Sequence, residues 1–187
     1  MKRLLLILIL TFSFQTLTKA DDIRDFEIEG MSIGDSLLDF FTEDELEKDF
    51  FYKSNKWAAI SKAVASFEVY EGFQVHVKAN DKNYIIGSLE GMIIYENQIE
   101  KCHKKQQEII YELDNLFKYT KKKEWDKTHA AEKNSTTKAK QYTFENGDIV
   151  AVICYDWSEN NKYKFVDKLG VSIKTKEFQN WVNNEAY

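Results

Sequence analysis

The chain has 187 residues, a formal net charge of −5 and 30% charged residues. This length is typical of a single domain that buries its own core, and the negative charge disfavours general binding to nucleic acid. The charge is unevenly spread, because residues 21–49 are strongly acidic and residues 118–140 are rich in lysine. Two solvated surfaces would explain this pattern, and so would a self-complementary or partner-docking surface.

The first twenty residues are organised like an export signal. Lys2 and Arg3 form a short basic start, residues 4–17 form an apolar run, and the predicted cleavage site lies between Ala20 and Asp21. The apolar run is shorter than the roughly 20 residues that a membrane-spanning helix needs. An uncleaved anchor and a buried N-terminal helix are the alternatives.

We therefore expect a signal peptide at residues 1–20 and a single exported domain at residues 21–187. Its location would be periplasmic or secreted. No stable membrane insertion is expected after cleavage.

The start of the exported domain predicts a strand followed by a helix. Apolar and polar residues alternate loosely over residues 23–33, which favours a strand, and Asp35 or Ser36 would cap the helix that follows. Thr42 and Glu45 have the spacing of a capping box and predict a further helical turn. Three more strands are predicted downstream, at residues 57–70, 73–78 and 84–95, with a helix as the alternative for the alanine-containing first of these.

Residues 97–118 form the clearest predicted helix, because apolar side chains recur at helical spacing and polar ones fill the other side. Asn97 and Glu100 have the spacing of a reciprocal cap at its start. The next segment, residues 118–141, has few apolar side chains and no clear period. It predicts a flexible lysine-rich loop or a long hairpin tip.

The C-terminal part predicts a hairpin, a buried strand, one more strand and a last helix. Asn146-Gly147 is a strong hairpin signal between two strands. Residues 149–154 are apolar without alternation, as in a central strand covered on both faces. Residues 165–174 predict one more strand, and Thr175 would cap the final helix.

The two cysteines, Cys102 and Cys154, are predicted to form a disulfide. An isolated pair in an oxidising compartment favours a bond, while a pair of reduced core cysteines is the alternative. Cys102 lies on the apolar side of the predicted long helix and Cys154 ends the apolar strand. A bond between them would close a loop of about 50 residues and stabilise the fold by roughly 4 kcal/mol.

No motif for catalysis, metal binding or cofactor binding stands out. His76, His103 and His129 fall on separate elements, and each is predicted to lie at the surface. The sequence lacks the spacings of zinc, calcium, phosphate-binding and nucleophile motifs, so we expect no metal and no cofactor. The segment Asp156-Trp157-Ser158 is the one loop in which a pocket would be sought; the plainer interpretation is a strand end with one buried aromatic side chain.

Two short stretches carry a resemblance. They are the opening Ile28-Glu29-Gly30-Met31-Ser32-Ile33-Gly34-Asp35-Ser36-Leu37-Leu38 and the later Cys154-Tyr155-Asp156-Trp157-Ser158. With them the chain resembles a family of small uncharacterised exported proteins from AT-rich marine bacteria. The resemblance implies an envelope or secreted location and carries no activity.

These patterns together predict an α+β fold: an antiparallel-dominated sheet of about five to seven strands with one long helix packed on one face. The leading hypothesis for function is a non-enzymatic binding or interaction module with an unknown protein or small-molecule partner. One alternative is a small envelope enzyme, hydrolase-like, with polar groups such as Asp156, Ser158 and His76 in one pocket. The other is a structural envelope protein that acts through its charge asymmetry.

Overall fold

A computed structural model describes residues 22–50, 52–129, 132–161 and 164–186. The predicted signal peptide and its cleavage site lie outside the described residues. Within them, a seven-stranded antiparallel sheet and two helices are present, which confirms the α+β class. Neither of these helices is long and apolar enough to cross a membrane.

The strands lie side by side in the order β1-β2-β3-β7-β6-β5-β4, and every neighbouring pair is antiparallel. β1 and β4 are therefore the two outermost strands. The elements, in chain order, are β1 (Trp57–Ala63), β2 (Gly72–Lys78), β3 (Ser88–Glu96), α1 (Ile99–Leu116), β4 (Lys121–His129), β5 (Glu132–Thr143), β6 (Ile149–Asp156), β7 (Asp167–Lys174) and α2 (Lys176–Asn184).

The sheet has two faces, because successive side chains of a strand point to opposite sides. We name the side that carries Cys154 the helix face, and the opposite side the distal face. Helix α1 contacts β3, β6 and β7. The N-terminal segment, residues 22–46, supplies further apolar side chains to the same core as the inner residues of β1, β2 and β3.

The long helix is joined to the sheet by a covalent bond and by hydrogen bonds. Cys102 on α1 forms a disulfide with Cys154 on β6, with the two Cα atoms 6.0 Å apart, so the predicted pairing is confirmed. One turn further on, the Gln106 amide donates to the backbone carbonyls of Lys138 (2.7 Å) and Val152 (3.1 Å).

The predicted first strand is wrong, because the chain turns back on itself within it. Glu29 and Gly30 both have positive φ, at 53° and 78°, and Ile28 and Met31 exchange two backbone hydrogen bonds across this two-residue turn. The turn is held in place by the Glu29 carboxylate, which accepts the backbone N–H groups of residues 68–70. In place of the strand, the N-terminal segment contains turns and short 3₁₀ helices, at Ile23–Asp25, Leu37–Asp39 and Glu43–Glu45.

The lysine-rich segment, expected at residues 118–141 as a flexible loop or a hairpin tip, is regular strand for most of its length. β4 and β5 pair over nine register positions, from Lys121 opposite Thr143 to His129 opposite Glu132. The loop interpretation is therefore corrected, and the hairpin alternative is nearer to the structure. β4 lies at the rim of the sheet and is exposed along most of its length. A strand in that position does not need the apolar alternation that the sequence lacks.

The C-terminal elements agree with their sequence signals. Asn146-Gly147 forms the turn between β5 and β6, with Gly147 at a φ of +91°. The Thr175 hydroxyl caps α2 by accepting the Phe178 N–H at 3.1 Å. The predicted cap of α1 is wrong in detail, because its first turn follows Gln98 with no side-chain hydrogen bond at the cap.

Candidate functional site

The distal face carries a row of polar side chains across the middle of the sheet. The register places Gln74, Glu90, Ser172, Ala151 and Gln141 side by side on β2, β3, β7, β6 and β5. A second row, one step along the strands, contains His76, Ser88 and Lys174. Glu90, Ser172 and His76 are all buried, with 7%, 0% and 6% of their surface exposed.

Glu90 is the centre of a buried ion pair. Its carboxylate accepts a hydrogen bond from the Lys168 ammonium at 2.8 Å and another from the Tyr155 hydroxyl at 3.0 Å. The Lys168 ammonium also lies 3.1 Å from the Met92 sulfur and 4.8 Å from the centre of the Tyr155 ring. The carboxylate is thus held between two donors on β7 and β6, which are the next two strands.

Gly170 makes room for this carboxylate. A Cβ atom built on Gly170 would lie 2.6 Å from Cδ of Glu90 and within 2.9 Å of both its oxygens. The missing side chain therefore lets Glu90 lean along the sheet surface towards Lys168. Any larger residue would occupy the space that the carboxylate fills.

The charge of Glu90 is maintained by its neighbours. Burial alone would raise the pKa of the Glu90 carboxyl, but the ammonium groups of Lys168 and Lys174 and the two hydrogen bonds outweigh it, and the pKa falls below its ordinary value. Glu90 is therefore ionised at neutral pH. A buried carboxylate without these partners would be strongly destabilising.

His76 was expected at the surface and is buried instead. It lies on the polar side of β2, as the alternation indicated, but α2 covers this part of the distal face and its Phe178 ring centre is 4.5 Å from that of the imidazole. The Nε2 atom lies 2.7 Å from the Tyr52 hydroxyl, while Nδ1 has no hydrogen-bond partner among the described residues. Burial, with a contribution from Lys174, lowers the pKa of His76 to about 3, so the ring is neutral.

Lys174 and Ser172 lie beside this cluster on the distal side of β7. The ion pair of Glu90 goes to Lys168, and the Ser172 hydroxyl has no hydrogen-bond partner among the described residues. Burial lowers the pKa of Lys174, and Lys168 lowers it further, against the opposing effect of Glu90. The Ser172 hydroxyl is thus a donor without a hydrogen-bond partner among the described residues, beside the ion pair of Glu90 and Lys168.

The structure separates the three residues suggested for an enzyme site. His76 pairs with Ser88, Ser88 with Lys174 and Lys174 with Ile149, so His76 and Ile149 lie in the same row across the sheet. Asp156 lies seven residues further along β6, which at about 3.4 Å per residue is roughly 24 Å. Since proton transfer needs hydrogen-bond reach, a hydrolase site made of Asp156, Ser158 and His76 is excluded.

Trp157 lies in an aromatic cluster beyond the end of β6. Its ring centre is 4.5 Å from that of His129 and 4.8 Å from that of Phe165, and its plane is parallel to that of Tyr155. The Nε1 atom of Trp157 is buried and has no hydrogen-bond partner among the described residues. His129, also expected at the surface, is half-buried in this cluster. His103 lies apart from both, half-buried on α1.

The described residues contain no group of three or more histidine, cysteine or acidic side chains that could hold a metal ion. Sequence reasoning did not single out Glu90, Lys168 or Lys174. The available signal was a charged residue between apolar neighbours, as in Leu89-Glu90-Gly91, but its partners are contributed by β6 and β7, more than 60 residues away.

No family model, no curated protein and no solved structure matches this chain.

Proposed function

We propose that this chain is an exported, non-enzymatic binding protein that takes its partner on the distal face of the sheet. The observation that carries the proposal is the polar cluster of that face, in which Ser172 and the Nδ1 atom of His76 are buried and unpartnered among the described residues. A buried polar group without a partner costs about 1–3 kcal/mol. A bound partner that completes these hydrogen bonds would offset that cost.

Export is supported by two independent features. The basic and apolar start of the sequence has the organisation of a signal peptide. The disulfide between Cys102 and Cys154 is typical of proteins in oxidising compartments. A periplasmic or secreted protein is consistent with both.

Photo-crosslinking tests the binding face. A photoreactive phenylalanine derivative replaces Gln74 or Gln141, which flank Glu90 and Ser172 in the same row and are half-buried. The matched control carries it at Tyr111 on α1, a side chain that is 73% exposed. Each protein is irradiated in the envelope fraction of its host, and intact mass reports adducts with either proteins or small molecules.

We expect one adduct at Gln74 and Gln141, suppressed by excess unmodified protein, and none at Tyr111. Equal labelling at all three positions, or no adduct at the two distal positions, would contradict the proposal. Chemical conversion of the captured molecule by the purified protein would instead support an enzyme.

A further inference from the structure

We propose that the distal face binds a carboxylate-bearing organic monoanion between Lys174, Ser172 and His76. This inference rests on the proposed function and names the class of ligand that the face takes. The net charge of the cluster indicates the class of ligand. The cluster contains two lysines, Lys168 and Lys174, and one carboxylate, that of Glu90. The neutral ring of His76 adds no charge, which leaves one positive charge in excess.

The excess charge belongs to Lys174. The Glu90 carboxylate accepts its hydrogen bonds from Lys168 and Tyr155, at 2.8 and 3.0 Å. Lys174 is half-buried and lies in the same row as His76, two strands away, and two residues along β7 from Ser172, the residue opposite Glu90. An anion beside its ammonium group would compensate a charge that is now poorly solvated.

Two further polar side chains lie on the same face as Lys174, one on its own strand and one two strands away. Ser172 is two residues from Lys174 on the same face, roughly 7 Å along the strand, and its hydroxyl is unpartnered among the described residues. In the proposal His76 contributes the second donor, in the tautomer that carries its proton on Nδ1, the atom without a partner among the described residues; Nε2 then accepts from the Tyr52 hydroxyl, 2.7 Å away. An ammonium, a hydroxyl and an imidazole N–H are suitable donors for the two oxygens of a carboxylate.

The charge and the shape of the ligand follow from the side chains around Lys174. A phosphate group carries about −1.5 to −2 charges at neutral pH, and the second charge would face the Glu90 carboxylate without a counter-ion. A carboxylate matches the single excess charge. The rim is apolar at Ile149, which is next to Lys174 in the row, and at Phe178, which covers His76. A short apolar chain attached to the carboxylate would contact these side chains.

The test is a titration of the exported protein with sodium butyrate at constant ionic strength, with chloride as the balancing ion. Two-dimensional NMR of the histidine ring nitrogens and of the backbone amides reports binding at His76 and Ser172. The variants are Lys174→Met and Ser172→Ala. The matched control is Lys78→Met, which removes a lysine from the same face that is half-exposed and paired with Glu177 at 3.0 Å.

We expect saturable shifts at His76 and Ser172 in the parent and in Lys78→Met. Lys174→Met should lose the butyrate-induced shifts. Its thermal stability should rise, since the substitution removes a poorly solvated charge, and this rise shows that the variant is folded. Ser172→Ala should bind about tenfold more weakly, the effect of one hydrogen bond to a charged group. Butyrate shifts that persist in Lys174→Met, or phosphate binding as strong as butyrate binding, would overturn the inference.

The two proposals fail in different ways. If photo-crosslinks form at Gln74 and Gln141 but butyrate does not bind, the distal face takes another class of ligand and only this inference is wrong. If neither experiment gives a signal, both proposals are wrong.

Discussion

Gly170 shows how one small residue determines where a buried charge lies. The Glu90 carboxylate occupies the volume that a side chain at position 170 would fill, and from there it reaches Lys168 on the same strand as the glycine. The residues of the cluster therefore depend on each other. A side chain at position 170 would displace the Glu90 carboxylate, and this would weaken its hydrogen bonds with Tyr155 and Lys168.

Replacing Gly170 with alanine should destabilise the protein. The new Cβ would lie 2.6–2.9 Å from the Glu90 carboxyl group, so the carboxylate must move away from its two donors. We expect a loss of about 1–3 kcal/mol in the free energy of unfolding, typical of overpacking, measured by urea titration. In Gly170→Ala/Glu90→Ala the steric cost should vanish, because the clashing group is gone. Equal stability of Gly170→Ala and the parent would contradict this account of the glycine.

His76 should make the protein sensitive to acid. The pKa of its ring is lowered by burial to about 3 in the folded state and is about 6.5 in the unfolded chain. Protons therefore bind the unfolded state preferentially between these values, so stability is complete above pH 6.5 and falls as the pH decreases towards 3. The slope from this one group is about 1.4 kcal/mol per pH unit within that window.

The measurement is urea unfolding at several pH values between 7 and 4, for the parent and for His76→Gln. Carboxylates with lowered pKa values, such as Glu90, also weaken the fold in acid, so the informative quantity is the difference between the two proteins. We expect the variant to lose less stability per pH unit than the parent. If stability falls equally steeply with pH in the parent and in the variant, the pKa of His76 is not lowered by folding. The ring would then be protonated in the folded state, although it lies near Lys174, Lys168, Glu90 and Tyr52.

The surface position predicted for His76 was wrong for a reason that alternation does not reveal. Alternation correctly assigned the side of β2 on which the ring lies. It could not tell that α2, a hundred residues later, would cover that side with Phe178. Residues such as Glu90, Lys168 and Lys174 were missed for the same reason, because their burial and pairing depend on strands that are distant in sequence.

At the scale of secondary-structure elements, local sequence signals were sufficient to predict an element where its apolar residues follow one regular period and a recognisable cap or turn ends it. The amphipathic pattern of α1, the Asn146-Gly147 turn and the Thr175 cap each match the structure. The strand predicted at residues 23–33 was wrong, because a turn at Glu29-Gly30 interrupts an apparently alternating stretch. The β4–β5 hairpin was not assigned to strands, because an exposed outer strand carries lysines where an inner strand carries apolar residues.

The bond between α1 and β6 should contribute a large part of the stability. Cys102 and Cys154 are 52 residues apart in sequence, and closing a loop of that length in the unfolded chain stabilises the folded state by about 4 kcal/mol at most. Cys102→Ala/Cys154→Ala should therefore unfold at a clearly lower urea concentration than the parent. A double variant with the parent's midpoint, or a parent whose mass does not increase by two hydrogens on reduction, would contradict this.

At the scale of the whole molecule, the sequence predicted the class of fold, the antiparallel sheet and the covalent link. It predicted no site, since the polar cluster is assembled from β2, β3, β6, β7 and α2. The resemblance to small exported proteins stays a prediction, and so does export itself.

Export can be tested on the intact chain. Expressed from its own start codon in a bacterial host, the protein should be recovered from the envelope or the medium with Asp21 as its first residue, because the signal peptidase is expected to cut after Ala20. Intact mass and N-terminal sequencing measure this directly. Recovery of the full-length chain in the membrane fraction would support the uncleaved anchor.

The covalent loop between Cys102 and Cys154 encloses the whole β4–β5 hairpin, with its lysines. A protease that cuts after a lysine in this hairpin leaves two pieces that are still joined by sulfur. The nicked protein would run as one species on a gel without reductant and as two fragments once reductant is added. A single cut in the most exposed strand of the sheet would therefore leave the two parts of the chain together for as long as the surroundings stay oxidising.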